Sequence, residues 1–149
     1  YGFRFFKNIY DHLLNKNMAK VLLATVGNEI IGGILLLLYG NTAIWRLGAI
    51  DNSYKKMFPS AKLVWAGIKY SVENNFRYFD MGTSSISNTG LIYFKKNFGS
   101  ETFPVNFYYL VNYKEIPKME NYLSDDTISK KIWRRIFQTA NSRKSCYKI

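Results

Sequence analysis

The sequence predicts an α/β domain built on one mixed sheet, in which a largely antiparallel meander is followed by helix, strand, helix and strand. Two tight turns, Gly27-Asn28 and Gly40-Asn41, separate three extended apolar runs, and this spacing is typical of an antiparallel meander. The middle run is apolar at nearly every position, as expected when helices cover both faces of a sheet. Helical and extended patterns alternate after the meander, which favours helices packed on both sides of that sheet.

The first half of the chain contains one predicted helix and the meander. The helix ends near residues 15–17, because apolar side chains recur at helical spacing before that point, at Phe6, Ile9, Tyr10, Leu13 and Leu14. The three predicted strands cover residues 19–26, 29–39 and 41–50.

A polar loop is predicted at residues 51–58, closed by Pro59. Ser60 is the predicted cap of a helix that runs to about Asn74, with a buried face of Leu63, Val64, Ile68 and Val72. The next predicted elements are a strand at residues 76–81, a small-residue loop at 82–87, and a helix from Asn88 through Phe98 that is stopped by Gly99.

The remaining residues contain a predicted strand at 102–112, a linker with Pro117 and a last helix capped by Asp126. We expect residues 1–149 to form a single domain, with the linker and basic helix of residues 113–149 packed on it. The first residue is Tyr1 rather than Met and lies within a helical pattern. We therefore expect this chain to be the C-terminal half of a longer protein.

Charge and composition restrict the function classes. The chain has 21 Lys and Arg against 10 Asp and Glu, a net charge of +11, which indicates either a lysine-rich solvated surface or attraction to a polyanion such as coenzyme A, a nucleotide diphosphate or tRNA. The most apolar run, Ile30–Tyr39, is shorter than the ~20 residues of a spanning helix. We expect no transmembrane segment and a cytoplasmic location.

The sequence lacks the residues that several classes of enzyme require. With one histidine, His12, and one cysteine, Cys146, the chain offers neither a His/Cys zinc site nor a plausible Cys–His nucleophile. It also lacks a P-loop and a dinucleotide-binding glycine fingerprint. We therefore expect no metal and no tightly bound cofactor.

Two segments resemble the FemAB-like branch of the GNAT acyltransferases. One is a predicted strand ending in Asp80-Met81-Gly82, and the other is the Phe-Lys-x-x-Phe-Gly motif of residues 94–99. The resemblance covers Ile50 to about Tyr109 and implies a GNAT acyl-CoA N-acyltransferase-like fold. It also implies transfer of an acyl or aminoacyl group to an amine on a small molecule or peptide precursor, as in cell-wall synthesis, and a preceding GNAT-like domain as partner.

The acyl donor implied by the resemblance is either aminoacyl-tRNA or acyl-CoA. No Arg/Gln-x-x-Gly-x-Gly/Ala stretch occurs between Ile50 and Ser60, where ordinary GNAT enzymes bind the pyrophosphate of acetyl-CoA. Tyr54, Lys55 and Lys56 occupy this segment instead and are predicted substrate-binding residues, because lysines offer point charges to phosphates. We expect weak binding of acetyl-CoA.

Lys95 is the first candidate for a catalytic residue. At 100° per residue it lies at the edge of the apolar stripe formed by Leu91, Phe94 and Phe98, whereas Lys96 lies outside it. A partly desolvated lysine can neutralise an oxyanion; alternatively, its stem covers the core and its charge reaches water. The resemblance implies that the pair Phe94-Lys95 lies at the acyl-transfer centre.

Three other residues are weaker candidates. Asp80 and Gly82 lie at the end of a strand, where ligands bind in α/β folds, although Asp80 is equally typical of a turn aspartate that accepts backbone amides. Tyr93 is a candidate for protonating the leaving group, with surface packing as the alternative; Tyr108 and Tyr109 are further candidates.

The basic tail from Thr127 to Ile149 is predicted to be either a solvated helix face or a contact for tRNA or an anionic surface. Two alternatives to the FemAB-like function stay open at this point. One is a non-catalytic GNAT-like support module, and the other is a stand-alone acetyl-CoA-dependent N-acetyltransferase.

Overall fold

A computed structural model of the chain describes residues 1–106. These residues belong to two compact units, one that comprises Tyr1–Gly82 and one that begins at Thr83. Each unit is described by itself. The predicted linker, last helix and basic tail, together with Tyr108 and Tyr109, lie outside the described residues.

The first unit contains the sheet and the helices that cover it. Helix α1 and a short 3₁₀ helix precede three strands, and a second 3₁₀ helix and helix α2 precede the last strand. Their bounds are α1 Phe3–His12, 3₁₀ Leu14–Lys16, β1 Ala19–Val26, β2 Glu29–Tyr39, β3 Thr42–Ile50, 3₁₀ Asn52–Met57, α2 Pro59–Glu73 and β4 Tyr78–Asp80. The second unit contains helix α3, Thr89–Lys96.

The four strands form one sheet in the order β1-β2-β3-β4. Strands β1, β2 and β3 pair antiparallel, whereas β4 pairs parallel to β3 after the crossover through α2. This arrangement confirms the predicted mixed sheet and the predicted meander.

Both faces of β2 are buried, because α1 and α2 cover opposite sides of the sheet. Ile34 and Leu36 belong to the cluster that includes Leu63 of α2. Leu35, between them in the strand, belongs to the cluster that includes Ile9 of α1. Successive side chains of a strand point to opposite faces, so one apolar run supplies two cores, and the prediction of a doubly covered middle strand is confirmed.

Helix α2 differs from its prediction at its start and on its buried face. It begins at Pro59, whose missing N–H and restricted φ suit the first helical position, so the prediction that Ser60 caps it was wrong. Val72 is 70% exposed. The buried face continues instead through Gly67 and Ser71.

Position 67 is occupied by glycine for a steric reason. A Cβ at this position would lie 3.0 Å from the ring of Phe79 in β4. The hydroxyl of Ser71 donates a 2.8 Å hydrogen bond to the carbonyl of Gly67, so the buried polar group is satisfied inside the helix. These two small residues allow α2 to lie close to β4.

Three further predictions need correction. Residues 52–57 of the predicted polar loop form a 3₁₀ helix. Strand β4 covers residues 78–80 rather than 76–81. Residues 102–106 are exposed and form no strand, while the rest of that predicted strand lies outside the described residues. Across residues 1–106, no helix has both the length and the apolar character needed to cross a membrane.

Candidate active site

The first feature of the site is an opening between β3 and β4. The two strands pair only from Thr42↔Tyr78 to Ile44↔Asp80, whereas β3 continues to Ile50. Within the described part of the first unit, the edge of β3 beyond Ile44 therefore lacks a strand partner on this side. Unpaired strand edges offer backbone hydrogen-bonding groups to a ligand.

A β-bulge lies immediately beyond the last strand pair. Leu36 of β2 pairs with Trp45 and Leu35 pairs with Leu47, so Arg46 has no partner on β2. Bulges redirect side chains and are frequent next to active sites. Arg46 is exposed, and its Nη2 donates a 3.3 Å hydrogen bond to the hydroxyl of Tyr1.

The bulge is held by the side chain of Trp45. Its indole Nε1 donates a 3.2 Å hydrogen bond to the carbonyl of Leu47 on the other side of the bulge. A Cβ on Gly48 would lie 3.0 Å from that same Nε1, so the indole position requires glycine there. Sequence reasoning missed this arrangement; the available signal was Arg46, the one charged residue in an otherwise uncharged strand.

Asp80 and Gly82 are brought together at the end of β4. The Gly82 amide donates a 2.7 Å hydrogen bond to Oδ1 of Asp80, the geometry of a turn aspartate. Gly82 has a φ of +70°, which favours glycine, and a Cβ there would lie 3.3 Å from the carbonyl oxygen of Trp45. Asp80 thus shapes the chain beside the opening, as the turn alternative expected.

The predicted substrate-binding residues Tyr54, Lys55 and Lys56 share the 3₁₀ helix Asn52–Met57. The amide of Asp51 donates a 2.7 Å hydrogen bond to the carbonyl of Ile31. The side-chain Oδ1 of Asp51 accepts a 2.9 Å hydrogen bond from the amide of Ser53. Both lysines are exposed in the last turn. The helix is therefore anchored to the sheet while its cations face solvent.

The phenol of Tyr54 provides another anchor. Its hydroxyl donates a 2.7 Å hydrogen bond to Oε2 of Glu29, which begins β2. That hydrogen bond and the charge of the same carboxylate raise the pKa of Tyr54 above the ordinary value of 10.0, because both favour the protonated phenol. The Tyr54–Glu29 hydrogen bond, here called the Tyr54–Glu29 brace, therefore links the 3₁₀ helix to β2. The predicted contact of Tyr54 with substrate stays a prediction.

The Phe-Lys-x-x-Phe-Gly motif forms the body and the end of α3 in the second unit. The Asn88 side chain caps the helix by accepting a 3.1 Å hydrogen bond from the Leu91 amide, so the helix begins within one residue of the predicted start. The rings of Phe94 and Phe98 meet edge to face with centroids 5.3 Å apart, and Gly99 follows the helix with a φ of +75°. The motif thus contains the ring pair and the terminating glycine that shape this short helix.

Lys95 is partly buried, whereas its neighbour Lys96 is exposed, so the predicted contrast is confirmed. The Nζ of Lys95 donates a 3.3 Å hydrogen bond to the carbonyl of Thr83 in the loop before α3. Tyr93 is 70% exposed, which agrees with its surface alternative. The role of Tyr93 as an acid stays a prediction.

Ser84, next to Thr83, is a second residue that sequence reasoning did not select. Its Oγ is buried and has no hydrogen-bond partner within the described portion of the chain. A buried hydroxyl without a partner is unusual in a folded protein. The loop before α3 therefore combines a lysine ammonium with a hydroxyl that can still form a hydrogen bond.

The first unit is thus an α/β sheet with an opening between two parallel strands, and the second unit contains a partly buried lysine on a short helix. A family model described as an acetyltransferase (GNAT) domain matches residues 1–96. The chain belongs to this family and is an acyltransferase.

Two solved structures show the same fold. Both are crystal structures of the aminoglycoside acetyltransferase meta-AAC0020 from an uncultured soil metagenomic sample. The complex with sisomicin is 21% identical, covers 73% of this chain and 85% of that chain, and has a TM-score of 0.53. The complex with trehalose is 23% identical, with coverages of 69% and 72% and a TM-score of 0.54. No curated protein matches the chain with significance.

Proposed function

We propose that this chain is a FemAB-like acyltransferase that moves an acyl or aminoacyl group to an amine, with Lys95 stabilising the negative charge on the acyl oxygen. The position of Lys95 carries this proposal. Its ammonium turns back to the Thr83 carbonyl at 3.3 Å, whereas the adjacent Lys96 is exposed. A cation that is already held in position stabilises an oxyanion more strongly than a freely moving one, since less reorganisation is needed during the reaction.

In the proposed reaction, the amine nitrogen attacks the carbonyl carbon of an activated ester or thioester. The carbonyl π electrons move to oxygen, and the resulting oxyanion accepts a hydrogen bond from Lys95. An ammonium has three N–H donors, so Lys95 can retain its contact with Thr83 during this step. Collapse of the intermediate forms the amide, breaks the carbon–oxygen or carbon–sulfur bond of the donor, and transfers the amine proton to the leaving group.

The FemAB-like assignment is supported by the physical role of each motif residue. The ring contact of Phe94 with Phe98 stabilises α3 beside Lys95, and Gly99 adopts a left-handed conformation at the helix end. Substitution of these residues would change the direction of the Lys95 side chain. We therefore interpret the motif as a local structure that positions Lys95.

The donor in this proposal is an aminoacyl-tRNA or another large phosphate-bearing donor, used with a preceding GNAT-like domain. The segment between β3 and α2 has no glycine and forms a 3₁₀ helix. Phe58 precedes α2 in the left-handed region, and Pro59 at the first helical position has no amide hydrogen. This segment therefore presents Lys55 and Lys56 rather than consecutive glycine amides to phosphate groups. A saturable, low-micromolar calorimetric isotherm with acetyl-CoA would contradict this donor.

The acceptor in this proposal is an amine on a cell-wall or glycan precursor. The two similar solved structures are of an aminoglycoside acetyltransferase. Aminoglycosides carry several amino groups and are polycations at neutral pH. A net charge of +11 opposes the approach of such molecules, because like charges reduce association rates. The charge therefore favours a neutral or anionic acceptor.

Substitution of Lys95 in the full-length protein tests the proposal. We expect Lys95→Ala to lower kcat by about 100- to 1,000-fold, the range for loss of one oxyanion donor, with little change in the melting temperature. Lys96→Ala is the matched control, because it removes the adjacent, exposed cation from the same helix, and its kcat should be unchanged. Equal turnover for Lys95→Ala and the unmodified protein would leave the chain as a non-catalytic support module.

A further inference from the structure

We infer that Arg46 selects the acceptor by binding an anionic group, a carboxylate or a phosphate, on the molecule whose amine is acylated. This inference rests on the proposed function and identifies a specificity-determining residue for it. It is carried by three observations on the first unit: the bulge, the environment of the guanidinium and the position beside the strand opening.

The bulge reverses the side-chain alternation of β3 at this residue. Leu47 and Ala49 pack on the α1 side of the sheet, whereas Trp45 packs on the α2 side. In an uninterrupted strand these three residues would share a face. The extra residue, Arg46, is therefore free of both cores and is exposed.

The guanidinium is positioned by a neutral group rather than by an acid. Its Nη2 donates to the Tyr1 hydroxyl at 3.3 Å, and the Tyr1 ring stacks on Phe5 of α1 with centroids 4.3 Å apart. Among residues 1–106, the ion pairs are Lys7–Asp11 and Lys69–Glu73. Within this described part of the chain, Arg46 thus has an orienting partner that leaves its charge uncompensated.

This combination suits an anionic ligand. Arginine has five N–H donors in a planar fork that matches carboxylate and phosphate oxygens. One donor contacts Tyr1, so a bidentate pair stays available. Arg46 is also two positions beyond Ile44, where β3 and β4 last pair. An acceptor anchored here by its anionic group would lie beside the opening between β3 and β4.

The test compares matched acceptors with the full-length protein. One arm uses α-amino acids against their carboxamides, and the other uses amino-sugar phosphates against the unphosphorylated amino sugars. We expect at least about 10-fold higher kcat/KM for the anionic member of one arm, and that arm identifies the anion. Arg46→Gln should lower this kcat/KM by about 10- to 100-fold, mainly through KM, and leave the neutral member unchanged.

Two variants serve as controls. Arg46→Lys retains the charge without the fork, so it should restore part of the preference. Arg77→Gln removes an exposed arginine that immediately precedes β4 and stacks on the ring of Tyr78. This variant should retain the full preference for the anionic acceptor. An unmodified protein without preference, or an Arg46→Gln variant that loses activity equally on both members, would overturn the inference.

A binding measurement separates this inference from the proposed function. The side-chain Nε–H signal of Arg46, assigned by its loss in Arg46→Gln, should shift saturably on titration with the anionic acceptors and not with the neutral ones. If this shift occurs without any acyl transfer, the proposed function is wrong and the anion site stands. If no acceptor shifts the signal, the anion site is wrong whatever the turnover.

Discussion

The amide of Gly82 donates a 2.7 Å hydrogen bond to Oδ1 of Asp80 at the end of strand β4. Between these two residues the chain leaves the sheet, since the last β3–β4 pair is Ile44↔Asp80. Gly82 adopts a φ of +70°, which other residues adopt only with strain. The turn therefore sets the place where the two parallel strands separate.

Asparagine should replace Asp80 with less loss of stability than alanine. Asp80→Ala removes the acceptor of the Gly82 amide, and we expect the free energy of unfolding to fall by about 0.5–1.5 kcal/mol. Asp80→Asn retains an Oδ1 acceptor, so its loss should be less than half as large. Denaturant unfolding of both variants measures the difference. Equal losses would show that the hydrogen bond does not hold the turn.

The Tyr54–Glu29 brace should weaken in alkaline solution. The pKa of Tyr54 is raised above 10.0 by its hydrogen bond to the Glu29 carboxylate and by that charge. A group whose pKa is raised by folding contributes stability below its unfolded pKa and loses it as pH rises through the folded pKa. The unfolding free energy of the protein should therefore exceed that of Tyr54→Phe at about pH 8, and the excess should shrink above about pH 10.

Glu29→Gln is the control for this pH dependence. It preserves an oxygen that can accept the phenol hydrogen but removes the negative charge that opposes ionisation. The alkaline loss should therefore be smaller in this variant, and should be complete at a lower pH, than in the unmodified protein. A stability difference between the protein and Tyr54→Phe that is constant up to about pH 11 would contradict the brace.

Alanine should have opposite effects at two helical glycines. In Gly67→Ala, the new Cβ would meet two carbons of the Phe79 ring at 3.0 Å, so overpacking should lower the unfolding free energy by about 1–3 kcal/mol. In Gly90→Ala, the new Cβ meets nothing within 4 Å. Because alanine favours the helix, this variant should gain about 0.5–1 kcal/mol. Thermal or denaturant unfolding measures both changes in the free energy of unfolding. Changes of the same sign in the two variants would contradict the proposed difference in packing.

The local elements were predictable because their signals are local. The two Gly-Asn turns lie between apolar runs, so the ends of β1 and β2 were correct to the residue. The start of α3 was predicted to within one residue of Thr89, and the contrast between Lys95 and Lys96 followed from helical geometry. In each case the residues that decide the structure lie within about one turn of one another.

The sequence by itself determined the meander, the helices that cover it and the partial burial of Lys95. Tertiary structure alone decided the bulge at Arg46, because a bulge depends on the register of β3 against β2. It also decided the Tyr54–Glu29 contact, which joins residues 25 positions apart, and the buried face of α2, where Phe79 requires Gly67. Such contacts depend on which elements become neighbours, and no local pattern of side chains contains that information.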